Sequence, residues 1–150
     1  MAVKRRPYDL IYLLTFQFAI AVLMFYSAAI LLVLGFDGTE QELIDELGPN
    51  AFDLFVDNAQ TVFLAVGAVL AFMFGLLMIE IWGMMKRKHW SYPFGALLSV
   101  LIVITNLTAI TVLGTENAQT LVRFGICVVL PFLVVYYLRR PDIADYFLKK

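Results

Sequence analysis

Glu80 is the only charged residue between Val62 and Met85, and it stands six positions before Lys86. At 1.5 Å per residue this places it ~9 Å inside the basic boundary of an apolar run. A carboxyl at such a depth costs about 2.5 kcal/mol or more to insert, so it is a candidate for cation or proton traffic. The competing expectation is that its side chain simply reaches water or Arg87 at the nearby interface. Asn106 is the one strongly polar residue near the middle of a span, ~12 Å from Gly114, and Gln17 lies on one side of the first run. Gln17, Glu80 and Asn106 therefore either line a polar pathway or act as hydrogen-bonding glue between helices. Arg123 enters the last run close to its end, where its long stem can lift the guanidinium to the headgroups or to Glu116. With a ~30 Å hydrocarbon core, Glu80 and Arg123 fall roughly 15 Å apart along the membrane normal, which rules out a direct ion pair.

The remaining chemistry is sparse. Cys127 is the only cysteine, so disulfides, Cys-x-x-Cys redox centres and zinc clusters within one chain are excluded. His89 is the only histidine and has no carboxylate near it in sequence, which leaves it solvated beside a basic turn. The triplet NLT at 106–108 matches a glycosylation acceptor but lies inside an apolar run. No phosphate-binding glycine loop, nucleophile with its base or zincin motif is present. No catalytic residue, cofactor site or metal site is expected, and the chain is read as a non-enzyme. An intramembrane enzyme would have to rely on Glu80 with His89.

The elements that carry these residues follow from composition. The chain has 150 residues, 62% of them hydrophobic, with a mean hydropathy of +0.86, well beyond a soluble domain. Apolar runs at about 10–34, 62–85, 94–113 and 121–138 each approach the ~20 residues needed to cross a bilayer. They are apolar on every side, unlike the alternating segments of a membrane barrel. The expected fold is an all-α, four-transmembrane-helix bundle forming one membrane domain over 1–150. The first run has a basic start at Lys4, Arg5 and Arg6, but it is about twice the length of a signal-peptide core, so an uncleaved anchor is expected. Small residues should set the packing: Gly95, Ser99, Asn106 and Ala109 project within an ~80° arc, Gly67, Ala71 and Gly75 form a second stripe, and Gln17, Ala21 and Ala28 a third.

Charge supplies an orientation. Ten of the eleven Lys and Arg residues fall at 4–6, 86–88 and in the tail (Arg139, Arg140, Lys149, Lys150). With four crossings these share one side, expected to be cytoplasmic together with both termini and the loop 86–92. The opposite side receives the loop 36–60, whose Asp37, Glu40, Glu42, Asp45, Glu46, Asp53 and Asp57 face no basic residue. Thr39 and Glu42 form a capping-box pattern for a short extracytoplasmic amphipathic helix. A second capping signal at Asn50 and Asp53 suggests that the next helix starts early and projects, presenting Phe52, Phe55 and Val56 beyond the lipid. These acids and aromatics form a candidate partner surface; the alternative is an acid run that only keeps a translocated loop soluble. The tail 139–150 is expected to lie in the interface, with Ile143, Tyr146, Phe147 and Leu148 dipping into lipid and Arg139, Arg140, Lys149 and Lys150 meeting headgroups.

The basic turn KRKHW at 86–90 and the closing YYLRRPDIADYF at 136–147 resemble features of small uncharacterised four-helix membrane proteins of archaea and bacteria. The resemblance covers about the last third of the chain and implies a fold, not an activity. The expected function is that of a structural or accessory subunit or scaffold in a prokaryotic plasma membrane. Its partners would be the lipid bilayer and another membrane protein or a second copy of itself, with no nucleic acid. The alternative is a small oligomeric cation or proton channel or transporter with an acidic outer mouth.

Overall fold

A computed structural model of the chain describes residues 8–39, 41–42, 45, 58–113 and 118–148. These form α1 (Tyr8–Asp37), α2 (Ala59–Met85), α3 (Ser91–Leu113), α4 (Ala118–Leu138) and a short α5 (Pro141–Leu148). The first four are long and apolar enough to cross a membrane. α2, α3 and α4 each start three residues before the apolar run that announces them. A helix needs a first turn whose free N–H groups can be solvated, and that turn belongs outside the grease. α3 shows how this is met: the Ser91 N–H and the Ser91 hydroxyl both donate to the Lys88 carbonyl, the hydroxyl at 2.6 Å. Pro93 then falls in the first turn, where its missing donor does no harm.

The helices run up and down around a ring. α1 packs on α2 and α4, and α3 closes the ring against the same two. Leu32 lies against Gly67 and Leu64 against Gly35, while Phe25 meets Phe74 with ring centroids 5.3 Å apart; the numbers descend on α2 as they rise on α1. The buried positions of α1 include Leu10, Leu13, Gln17, Ile20, Met24, Ser27 and Leu31, and those of α4 include Phe124, Cys127, Pro131, Val134 and Leu138. Both follow the alternating three and four spacing of a heptad seam. Outward positions such as Phe18, Val22, Phe72, Ile104 and Phe132 are as apolar as the core. In lipid, greasiness does not separate inside from outside; small and polar residues mark the interior instead.

The turn between α2 and α3 is built for one purpose. Arg87 has φ 53°, the left-handed region normally left to glycine. Its N–H donates to Met84 O and that of Lys88 to Gly83 O, the paired bonds of a Schellman ending with arginine where glycine is usual. The side chain so placed reaches α5: Arg87 Nε donates to the Tyr146 carbonyl at 2.8 Å, and the guanidinium sits 4.6 Å from the Tyr146 ring centre. Ile143, Tyr146 and Phe147 are buried, and Leu148 is exposed. The expectation that all four dip into lipid is therefore corrected for the first three. The turn at Arg140 folds α5 back across the bundle end, where burying three apolar side chains against protein satisfies the same tendency that lipid would.

The Thr39 and Glu42 pattern is realised. Thr39 N–H and its hydroxyl donate to Glu42 Oε2 at 2.8 and 2.9 Å, and Glu42 N–H returns a longer bond of 3.4 Å to the Thr39 hydroxyl. The helix it would open lies mostly outside the described residues, as does the proposed start of the second helix at 50–57; the described α2 begins after Asn58, whose side chain makes no capping bond.

Candidate functional site

The most unusual chemistry in the bundle comes from three helices. Gln17 is set on the α1 seam between Leu13 and Ile20, and Glu80 on α2 between Leu77 and Ile81; both are 1% exposed. Gln17 Nε2 donates a hydrogen bond to Glu80 Oε1. Gly95 of α3 forms the opposite wall: a Cβ there would collide with Glu80 Oε1 and come within 2.7 Å of Met84 Cε. One turn further on, the buried Ser99 hydroxyl donates to the Gly95 carbonyl at 2.8 Å. Glu80 thus turns away from water and from Arg87, contrary to the interfacial expectation, because the amide 63 positions earlier offers a donor inside and Arg87 is committed to α5.

An amide beside a carboxyl has a particular capacity. Its N–H can donate to a carboxylate, and its oxygen can accept from a carboxylic acid. Among the described residues Gln17 Oε1 has no hydrogen-bond partner. The pair can therefore hold the carboxyl in either protonation state by turning one side chain.

Asn106 does not join this cluster. It is 1% exposed, but Nδ2 donates to Ile102 O on its own helix at 2.8 Å, and Oδ1 lacks a partner among the described residues. Eleven positions separate it from Gly95, ~16 Å along the helix. Ser27, which sequence reasoning passed over, is also buried, and among the described residues its hydroxyl has no partner. It stands ten positions from Gln17, ~15 Å away along α1. The seam spacing from Gln17 through Ile20 and Met24 would have pointed to it. The polar interior is thus stepped, one level at Gln17 and Glu80 and another near Ser27 and Asn106. Arg123 lies beside rings, its guanidinium 5.2 Å from the Phe124 centre and 6.0 Å from that of Tyr26.

The packing candidates divide. Gly67 meets Leu32, with a Cβ there falling 3.1 Å from the Leu32 backbone nitrogen; Gly95 meets Glu80; nothing lies within 4 Å of a Cβ at Gly75. Ala71 is half-buried against the core. Of the partner-surface candidates, Asp37, Glu42 and Asp45 are exposed, whereas Glu40, Glu46, Phe52, Asp53, Phe55 and Asp57 lie outside the described residues. Of the headgroup candidates, Arg139 is exposed, Arg140 pairs with Asp9 at 2.6 Å, and Lys149 and Lys150 lie outside the described residues. The Asp9 pairing, 131 positions apart, had no local signal. Its charge raises the affinity of the Arg140 guanidinium for its proton. Among the described residues no three His, Cys, Asp or Glu side chains gather as a metal site would require. The outer face carries apolar grooves, one of about 270 Å³ between α2 and α3, lined by Ala65, Val66, Val69, Ile104, Thr105, Thr108 and Ala109.

No protein-family model, curated protein or solved structure matches the chain.

Proposed function

We propose that this multi-pass membrane protein is a non-enzymatic accessory or scaffold subunit, set in a prokaryotic plasma membrane with its termini cytoplasmic. The observation that carries the reading is the direction of the polar side chains. Gln17, Ser27, Glu80, Ser99 and Asn106 all turn inward, and the hydrogen bonds of Glu80, Ser99 and Asn106 end within the bundle. The outward surface is left to Phe18, Val22, Phe25, Phe72, Ile104 and Phe132. A surface of that kind, grooved and apolar, suits lipid and the flank of another membrane protein, while the acidic loop supplies charge for recognition outside. Isolation from native membranes in a mild detergent tests it. A second protein or a defined self-assembly should travel with the chain; a lone monomer without companions overturns the proposal.

One observation favours a second reading, the small oligomeric cation or proton pathway. Glu80 is a fully buried carboxyl that, among the described residues, is held by the Gln17 amide, and an intramembrane acid is expensive to keep without a use. Flux through reconstituted vesicles that is unchanged by Glu80→Gln combined with Asn106→Leu would remove it.

A further inference from the structure

What separates Glu80 from the aqueous phase at the end where α1 begins and α4 ends? One turn from the Gln17 and Glu80 pair toward that end stand Leu13 and Met84, both fully buried, followed by Leu10 and Leu138. Across them lies α5, packed on α1 and α4. Phe147 of α5 stacks near Tyr92 of α3 with centroids 6.1 Å apart, three residues from the Gly95 wall. Among the described residues, Gln17 from α1 and Gly95 from α3 face the carboxyl, with Met84 on its own helix beside them, and these carry no charge. No charged residue occurs in 10–36, 91–113 or 124–138.

α5 is held in a way that allows release. It has eight residues, too few for a helix that stands by itself. Its attachments include three buried side chains and the Arg87 contact with Tyr146, and the exposed Asp9 to Arg140 pair lies just before it. Such peripheral pieces open at the smallest free-energy cost in a fold. The released helix also has somewhere to go. Its apolar face suits the membrane interface, and the basic residues flanking it suit anionic headgroups. Two homes of similar character for one amphipathic helix make a bistable element. Arg87 is the part of the protein committed to the closed one, since it keeps a glycine conformation to aim its side chain at α5.

We infer that the Gln17 and Glu80 pair is a solvent-exchange site reached from the end of the bundle where α1 begins and α4 ends, and that α5 is the latch across its entrance, with Arg87 as the catch. The species admitted are water and the protons it carries. This goes beyond both functional readings, since access to the carboxyl is a property of the fold whether or not anything is conducted.

The test uses full-length chain in lipid nanodiscs, which present both faces to solvent. A water-soluble carbodiimide with glycine ethyl ester converts accessible carboxyls to amides, and peptide masses give Glu80 modification relative to the exposed Glu42. Arg87→Gly removes the catch while giving the turn the residue its backbone prefers; Phe147→Ala loosens α5 and leaves the turn alone. Amide hydrogen exchange reports α5 and the four long helices in each variant. The expected result is faster exchange confined to α5 and about tenfold more Glu80 modification, the change in open population that one hydrogen bond to a charged group supports. Three outcomes overturn the inference. Glu80 modification unchanged although α5 exchanges faster means that α5 does not cover the site. Unchanged α5 exchange in Arg87→Gly means that Arg87 is not the catch. Loss of protection throughout the bundle in both variants means that α5 is core and not a latch.

Discussion

Glu80 and Gln17 are unequal partners, and the inequality can be measured. Replacing Glu80 by Gln leaves two amides that can still bond across the α1 and α2 contact, where interhelical hydrogen bonds average ~0.6 kcal/mol. Replacing Gln17 by Leu strands a buried carboxyl without its donor, which costs about 1–3 kcal/mol. Unfolding in mixed micelles should therefore rank Gln17→Leu clearly below Glu80→Gln; equal stabilities would mean that the pair contributes nothing. Just past the end of α1, Thr39 holds the Glu42 carboxylate, through its backbone N–H first and its hydroxyl second, and so lowers its proton affinity. A depressed carboxyl stabilises its cap above the ordinary glutamate range and loses that contribution as pH falls through the lowered value. In a magnetic-resonance titration of the micelle-bound protein, the Glu42 carboxyl should thus titrate below an ordinary glutamate, and Thr39→Ala, which removes the hydroxyl but keeps the backbone donor, should bring it only part of the way back. The sequence disclosed which residues carry chemistry, since a lone acid or amide in an apolar run is conspicuous. It did not disclose their pairing, because Gln17 and Glu80 meet only through the antiparallel register of α1 and α2. The cap was legible because it is local.

At the level of helices, lipid removes the usual contrast between a greasy face and a wet one. The four spans were readable from apolar length, yet which side of each faces inward was readable only where small or polar residues mark it. Gly67 and Gly75 show the limit, because both belong to one stripe on α2 and only Gly67 approaches another helix. Gly67→Ala places a methyl 3.0 Å from Leu32 Cγ and 3.1 Å from its backbone nitrogen, so α1 and α2 must part or Leu32 must shift, at about 1–3 kcal/mol. Gly75→Ala meets open space and gains helix propensity of up to about 1 kcal/mol. Thermal midpoints should fall for the first and hold or rise for the second. A loss at Gly75 in lipid but not in detergent would instead mark it as a contact with another molecule. Pro131, buried on the α4 seam, is tolerated there because a membrane bundle can satisfy the carbonyl it leaves free. α5 was legible as amphipathic but not as docked, since the same apolar face fits lipid and protein equally well.

Over the whole molecule the ring of antiparallel helices brings distant charges to one end. The Asp9 to Arg140 pair and the Arg87 to Tyr146 contact put the start of α1, the α2 to α3 turn and the end of α4 together, while Asp37 closes the far end of α1 and Glu42 and Asp45 follow it. Among the described residues this gathers Lys86, Arg87, Lys88, Arg139 and Arg140 around one mouth of the bundle and Asp37, Glu42 and Asp45 toward the other. Lys and Arg beside short loops resist translocation whereas acids exert little pull, so the basic mouth should face the cytoplasm. Cys127 is 1% exposed, which leaves the natural chain with little background for thiol chemistry. A membrane-impermeant maleimide applied to intact cells should label Glu42→Cys at once and Lys88→Cys only after the membrane is opened. Labelling in the reverse order would invert the molecule in the membrane. The helix ring would stand, but the acidic loop would become a cytoplasmic surface, and the entrance closed by α5 would open to the exterior.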